Sequence, residues 1–167
     1  MAKPRLFWVV FAAMLVPCLV MNLRTAPRIE ELAGGARLLE MRLTGYSFDE
    51  ARGFVTTIGD EGARLYLDVQ LWLDMAFPLL LGVVLFLGYR WLFPGRPGRI
   101  IGTISLGSIL VEYLENAAVA AMLRAGADGM TPQMAATANF WTTTKWGLAF
   151  VGAVTLLVGI ALRLRRR

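Results

Sequence analysis

Four long apolar runs dominate the pattern of hydrophobic and polar positions along the chain. They cover approximately residues 6–23, 71–93, 100–123 and 140–162. A hydrocarbon core about 30 Å thick is crossed by about 20 apolar helical residues, so each run is long enough to span a membrane. The pattern therefore predicts an all-α, polytopic membrane protein. We expect one domain, residues 1–167, with four transmembrane helices in an antiparallel bundle.

The segment between the first two runs, residues 24–70, is predicted to carry short amphipathic helices in the first outer loop. Apolar residues recur at helical spacing over residues 29–43, with a weak point at Gly34–Gly35. Ser47–Glu50 has the pattern of a capping box, which starts a helix. Gly59 should end the apolar stripe of that helix. Two roles stay open for these helices, which are packing on the membrane surface and covering an outward-facing cavity.

Composition supports the membrane class. Hydrophobic residues make up 57% of the chain and charged residues 17%, whereas a soluble domain is typically about 45–50% apolar and about 25% charged. The net charge of +5 does not indicate nucleic-acid binding, because the basic residues lie at the ends of the apolar runs. Histidine is absent and Cys18 is the one cysteine, so a histidine-ligated metal or haem is excluded. We predict no metal and no cofactor.

The placement of lysine and arginine predicts the orientation of the chain. Cytoplasmic ends of membrane helices carry an excess of these residues. Here they lie before the first run, between the second and third runs and after the fourth run: Lys3, Arg5, Arg90, Arg96, Arg99, Arg163, Arg165, Arg166 and Arg167. We expect an integral protein of the plasma (inner) membrane with both termini cytoplasmic.

Charged residues interrupt three of the four predicted spans. Glu112 and Glu115 lie in the third, Asp74 in the second and Lys145 in the fourth. A charged side chain at the centre of a membrane helix costs roughly 2.5–3.5 kcal/mol even on insertion scales, so such residues usually have a function. With a rise of about 1.5 Å per residue, all of them fall in the outer half of the membrane.

This polar layer predicts a ligand-binding pocket in the outer half of the bilayer. Structural alternatives stay open for some of its members: Asn116 can join helices by a hydrogen bond, Lys145 can extend to the membrane surface or pair with a glutamate, and Asp74 can meet interfacial water. Burial and proximity of Glu112 and Glu115 suit proton exchange or binding of a cation. The predicted site residues are Asp74, Glu112, Tyr113, Glu115, Asn116, Asn139 and Lys145.

The layout resembles the four-helix membrane group that contains the sterol isomerases and the sigma-2 receptor. The residues that carry this resemblance are Asp74–Pro78 and Glu112–Asn116, together with the length, the outer segment and the basic tail. The resemblance implies a four-helix fold with intramembrane acids. The absence of histidine argues against the isomerase branch, and no residue role follows from the resemblance.

These observations predict a protein that binds a lipid-like or amphipathic small molecule, cationic or hydroxylated, in contact with membrane lipids. Three alternatives stay open: an accessory or structural subunit of a larger membrane complex, a carboxylate-based lipid-modifying enzyme such as an isomerase, and a proton-coupled transporter. No motif specifies a reaction, which favours a binding protein over an enzyme. A homodimer and a complex with another membrane protein both stay open as assemblies.

Overall fold

The computed structural model describes residues 4–165, and no strand occurs within that range. Lys3, Arg166 and Arg167, which belong to the predicted basic ends, lie outside the described residues. The six α-helices are α1 (Pro4–Val20), α2 (Ala26–Leu32), α3 (Phe48–Leu65), α4 (Leu71–Leu92), α5 (Arg96–Gly129) and α6 (Pro132–Leu164).

Four continuous helical stretches are long and apolar enough to cross a membrane. They run over Arg5–Leu32, Phe48–Leu92, Arg96–Gly129 and Pro132–Leu164. α1 joins α2 through a π-helical turn, and a second π-helical turn joins α3 to α4. The four stretches are compatible with a small integral membrane protein, as the apolar runs predict.

The connection between α2 and α3 differs from the helix that the spacing over residues 29–43 predicts. α2 ends at Leu32, and Gly34 and Gly35 then adopt φ values of +67° and +87°. These left-handed conformations suit glycine and turn the chain out of the helix. A single 3₁₀ turn, Leu39–Met41, follows. Leu38, Leu39 and Tyr46 of this connection are buried against other helices, whereas Met41 and Leu43 are exposed.

α3 begins and bends at the positions that its sequence predicts. The Ser47 hydroxyl accepts a hydrogen bond from the Glu50 amide (3.2 Å), and the Glu50 carboxylate accepts one from the Ser47 amide (2.7 Å), which confirms the capping box. Gly59 has a φ of +60° and interrupts the helix, so α3 changes direction there before it continues towards α4. The face of α3 that precedes Gly59 is buried, with Phe54 and Ile58 nearly inaccessible.

The helices pack in a simple order. α1 lies against α4, α4 against α5, and α5 against α6. α4 and α6 also meet near the turn that separates α4 from α5, where the Tyr89 hydroxyl donates to the Gly152 carbonyl (2.8 Å) and an Arg163 nitrogen donates to the Trp91 carbonyl (2.8 Å). We call this end of the molecule the inner end, and the opposite end, which carries residues 33–65, the outer end.

α6 extends well past the apolar run that defines its span. Thr131 caps it by accepting from the Met134 amide, and Pro132 occupies its first turn. Its 33 residues correspond to about 50 Å, which exceeds a hydrocarbon core of about 30 Å. The first turns of α6 pack on the outer segment, and Ala135 and Ala138 are buried there.

Buried apolar side chains concentrate at the outer end. We call this cluster the outer core; it joins α2, the segment that follows α2, α3, and the outer parts of α5 and α6. Its members include Ile29, Leu38, Leu39, Tyr46, Phe54, Ile58, Tyr66, Val119, Met122, Leu123 and Met130. In contrast, only 6% to 33% of the residues in the most apolar window of each long helix are buried. The spans thus present most of their apolar surface outward, as lipid-facing helices do.

Candidate functional site

Pro78 shapes the wall of the site on α4. Proline has no backbone N–H, so the carbonyl of Asp74, four residues earlier, loses its helical donor. The Asn116 side-chain amide donates to that carbonyl (3.0 Å), and the Tyr113 hydroxyl donates to the next one, of Met75 (2.9 Å). Asn116 and Tyr113, both predicted site residues, therefore join α5 to α4 through these atoms and position Asp74.

Lys145 is the centre of the charged groups. Its Nζ lies 2.5 Å from Glu115 Oε2 and 3.8 Å from Glu112 Oε2. The side chains of Lys145, Glu115 and Glu112 are 12%, 0% and 23% exposed, so Lys145 is directed inward rather than to the membrane surface. Residues three apart on a helix share a face. Both glutamates of α5 consequently reach the same ammonium on α6, with Glu115 bound closely and Glu112 at the exposed edge.

Glu40 is a further acidic residue of this site, and the sequence pattern does not reveal it. It lies in the 3₁₀ turn, is 5% exposed, and neither of its carboxylate oxygens has a hydrogen-bond partner among the described residues. Burial raises the pKa of Glu40 to about 7, while the positive charge of Lys145 opposes that rise. No local motif marks Glu40, because its burial depends on contacts with distant helices.

Residues 35–46, which we call the strap, are held on α6 by two hydrogen bonds. The Trp146 indole N–H donates to the Glu40 carbonyl (3.0 Å), and the Asn139 side-chain oxygen accepts from the Tyr46 amide (2.8 Å). Gly45 has a φ of +81°, and a Cβ at this position would collide with Asn139. Asn139, a predicted site residue, thus holds the strap through its side-chain oxygen.

Asp74 is linked to the junction of α1 and α2. The Gln70 side-chain amide donates to Asp74 Oδ2 (3.0 Å), and the Thr25 hydroxyl donates to the Gln70 side-chain oxygen. Thr25 and Gln70 are both buried and lie in the two π-helical turns. Asp74 itself is half-buried, and it lies within electrostatic reach of Glu40, Glu112 and Lys145.

The structure therefore brings four carboxyl groups and one ammonium group together. We call Glu40, Asp74, Glu112, Glu115 and Lys145 the acidic cluster. With every group ionised the cluster would carry a net charge of three minus, which is unfavourable in a region of low dielectric. Bound protons or a positively charged group would relieve this excess. The cluster can accordingly accept protons, a cation, or a hydrogen-bond donor such as a hydroxyl.

Two surface grooves lie away from the acidic cluster. The larger, about 530 Å³, is open and lies at the inner end, lined by Arg96, Arg99, Ile100, Thr103 and Ile104. The second, about 220 Å³, lies near the outer end, lined by Asn22, Ala26, Pro27, Glu30, Arg37 and Met41. Neither groove is lined by a residue of the cluster. Within residues 4–165, no three acidic or cysteine side chains are arranged to hold a metal ion.

Comparison with protein-family models, curated proteins and solved structures finds no match to this chain. The class defined by the fold is therefore stated from the molecule itself: an all-helical protein with four helices able to span a membrane. The resemblance to the sterol isomerase and sigma-2 receptor group stays an expectation about architecture.

Proposed function

We propose that the protein is an integral membrane protein whose four long helices form an antiparallel bundle in the lipid, with amphipathic outer helices above it. Aromatic residues support the placement of the membrane, because tryptophan is enriched at both membrane interfaces. Trp72 and Trp91 are exposed near the two ends of α4, about 28 Å apart along the helix. This distance matches a hydrocarbon core of about 30 Å.

The inner end is proposed to face the cytoplasm, in the plasma (inner) membrane. Arg90, Arg96, Arg99, Arg163 and Arg165 lie at this end, and such clusters favour the cytoplasmic, anionic surface. The Arg163 guanidinium lies over the Trp91 ring (4.0 Å), which suits a side chain that reaches from the helix to the headgroups.

We further propose that the acidic cluster binds the polar head of an amphipathic small molecule, while the apolar body of that molecule stays in the surrounding lipid. The observation that carries this proposal is the grouping of four carboxyl groups near one ammonium, which two of them, Glu112 and Glu115, contact directly. Glu112 is the group that a ligand would meet first, because it is partly exposed and its contact with Lys145 is the longer one. Ser105 and Ser108 are half-buried and share its face of α5, which extends the polar edge.

The charge balance predicts which head groups bind. An ammonium head adds the positive charge that the cluster lacks, a hydroxyl head can only donate a hydrogen bond, and a carboxylate head is repelled. Nanodisc-embedded protein is titrated with an alkylammonium, a long-chain alcohol and a fatty acid of equal chain length. We expect affinity to fall in that order, and Glu112→Gln to weaken alkylammonium binding about tenfold, which corresponds to about 1.4 kcal/mol.

Asp68→Asn is the matched control, because Asp68 is an exposed acid that precedes α4 and belongs to no contact of the cluster. It should leave all three affinities unchanged. Equal binding of the three probes, or an equal effect of Glu112→Gln and Asp68→Asn, would contradict a ligand site at the cluster.

One alternative is favoured less by the geometry. An accessory subunit whose charges pair with a partner protein would direct them outward. Lys145 instead pairs with two acids of its own chain, and Asp74 is bound by Gln70. These contacts favour a site inside the protein, with membrane lipids and a small molecule as its partners. The proposal concerns binding and assigns no reaction.

A further inference from the structure

Glu40 is the member of the acidic cluster that comes from outside the four long helices. The strap places its carboxyl group among other buried polar atoms that lack a hydrogen-bond partner within residues 4–165. These atoms are the Tyr46 and Tyr66 hydroxyls and Glu115 Oε1, and the residues that carry them are almost completely inaccessible. A buried polar group without a partner is unfavourable. The carboxylate oxygens of Glu40 and Glu115 are acceptors only and outnumber the hydroxyl donors beside them, so one more donor would stabilise this group of atoms.

We propose that Glu40, Glu115 and Tyr66 form a proton-binding site that holds the strap closed over the acidic cluster. A protonated carboxyl group has one O–H donor, which Glu40 can offer to Glu115 Oε1 or to the Tyr66 oxygen. An ionised Glu40 has acceptors only and faces a like charge on Glu115. The proton thus removes the repulsion between Glu40 and Glu115 and adds a hydrogen-bond donor beneath the strap.

The groups that face Glu40 come from every element packed around it. Lys145 approaches from α6, Glu115 from α5, and Tyr66 from the turn before α4. Tyr46 of the strap and Asp74 of α4 also lie within electrostatic reach. Lys145 is the one cation of this set, and its ammonium is already 2.5 Å from Glu115. It therefore offsets only part of the negative charge, which leaves the proton to stabilise Glu40.

Glycines near both ends of the strap allow it to move as a unit. Gly35 and Gly45 lie at its ends with φ values of +87° and +81°, and few side chains allow the same rotations. Two hydrogen bonds fasten it to α6, one from Trp146 to the Glu40 carbonyl and one from the Tyr46 amide to Asn139. Buried Leu38 and Leu39 oppose its opening, so the protonation of Glu40 adjusts an equilibrium that apolar contacts hold near the closed state.

The direction of the pH effect follows from the pKa of Glu40. Burial raises this pKa from an ordinary value of 4.5 to about 7 in the closed strap, and exposure in an open strap returns it to its ordinary range. The proton therefore stabilises the closed strap fully below pH 4.5, and this stabilisation is lost as the pH rises through about 7. Linkage of one proton to closure predicts a rise in the ratio of open to closed strap of roughly 50- to 100-fold between pH 5 and pH 8.

Hydrogen exchange in the full-length protein, in nanodiscs without added ligand, tests this inference. Exchange of the strap amides, corrected for the intrinsic effect of pH, should accelerate roughly 50- to 100-fold from pH 5 to pH 8. Glu40→Gln is neutral at both pH values and keeps a donor, so its strap should stay protected throughout. Asp49→Asn, an exposed acid in the first turn of α3, should behave as the wild-type chain does.

A second measurement does not depend on the folding of a variant. In the wild-type chain, the infrared carbonyl band of a buried protonated carboxyl group should titrate over the same pH range as strap exchange. The inference is overturned if strap exchange is independent of pH, if Glu40→Gln retains the wild-type pH dependence, or if the infrared band and the exchange titrate apart. These outcomes are separate from the ligand proposal, because no ligand takes part.

Discussion

The outer core and the lipid-facing parts of the spans are stabilised in different ways. In the outer core, large apolar side chains such as Leu39 and Met122 are fully buried, and the hydrophobic effect favours their contact. Between the spans the same effect is weak, because lipid is as apolar as leucine. Between the spans, small residues instead allow the helices to approach closely: Gly102 packs against Phe86, and Gly159 packs against Phe93. The acidic cluster lies where these two regions meet.

This position explains why the cluster can exist. The outer core packs the strap so that Glu40 is buried. The spans place Glu112 and Glu115 on one helical face opposite Lys145. Neither region alone brings Glu40, Glu115 and Lys145 together. The comparison predicts that substitutions have unlike effects on stability in the outer core, in the cluster and on the lipid-facing surface.

The largest expected effect is at Lys145. Lys145→Met leaves Glu115 buried without its cation, and loss of one partner of a buried ion pair destabilises a protein by about 3–5 kcal/mol. The free energy of unfolding, measured by denaturation in mixed micelles, should fall by that amount. Combining it with Glu115→Gln should recover most of the loss.

The control for Lys145 is an exposed ion pair in the same protein. Arg28 binds Glu31 (2.8 Å) and Glu61 (2.9 Å) with the three side chains 46% to 70% exposed. Arg28→Met should lower the free energy of unfolding by less than about 1 kcal/mol. If both variants lose equal stability, Lys145 does not stabilise a buried site.

A smaller effect is expected from an apolar residue of the outer core. Leu39→Ala removes a fully buried side chain, and such changes cost about 2–5 kcal/mol in the free energy of unfolding. The matched change Leu157→Ala removes an exposed leucine of α6 and should cost about 0.5 kcal/mol or less. Similar losses at the two positions would show that the two regions do not differ in their packing.

The smallest effect concerns the close contact between α4 and α5. A Cβ at Gly102 would lie 2.9 Å from the Phe86 ring and 3.1 Å from the Phe86 carbonyl oxygen. Gly102→Ala should therefore separate the helices and cost about 1–3 kcal/mol in the free energy of unfolding. Gly107, on the same helix, has open space around it, and Gly107→Ala should be neutral. A neutral Gly102→Ala would argue against helix association by close approach.

Local features of the molecule could be predicted from the sequence. The four helices able to span a membrane follow from the length of the apolar runs, and the capping box at Ser47, the cap at Thr131 and the break at Gly59 follow from residue types at fixed offsets. The common level of Asp74, Glu112 and Lys145 also follows, because helical rise converts residue number into depth.

The roles of individual polar residues depended on tertiary contacts. Asn116 and Tyr113 are polar residues of the kind found in binding sites, and here they donate hydrogen bonds to the Asp74 and Met75 carbonyls. Asn139 accepts a hydrogen bond from the strap. Distinguishing these roles requires knowledge of which distant backbone group lacks a partner. The periodicity of a single helix contains no such information.

The sequence by itself determined the helices, their ends and the presence of charge within the spans, since each of these depends on neighbours within a few positions of the chain. Only the tertiary structure decided that Glu40, from the segment outside the spans, joins Glu115 and Lys145. The reason is physical: a carboxyl group becomes buried when separate helices close around it, and that closure depends on the packing of all of them together.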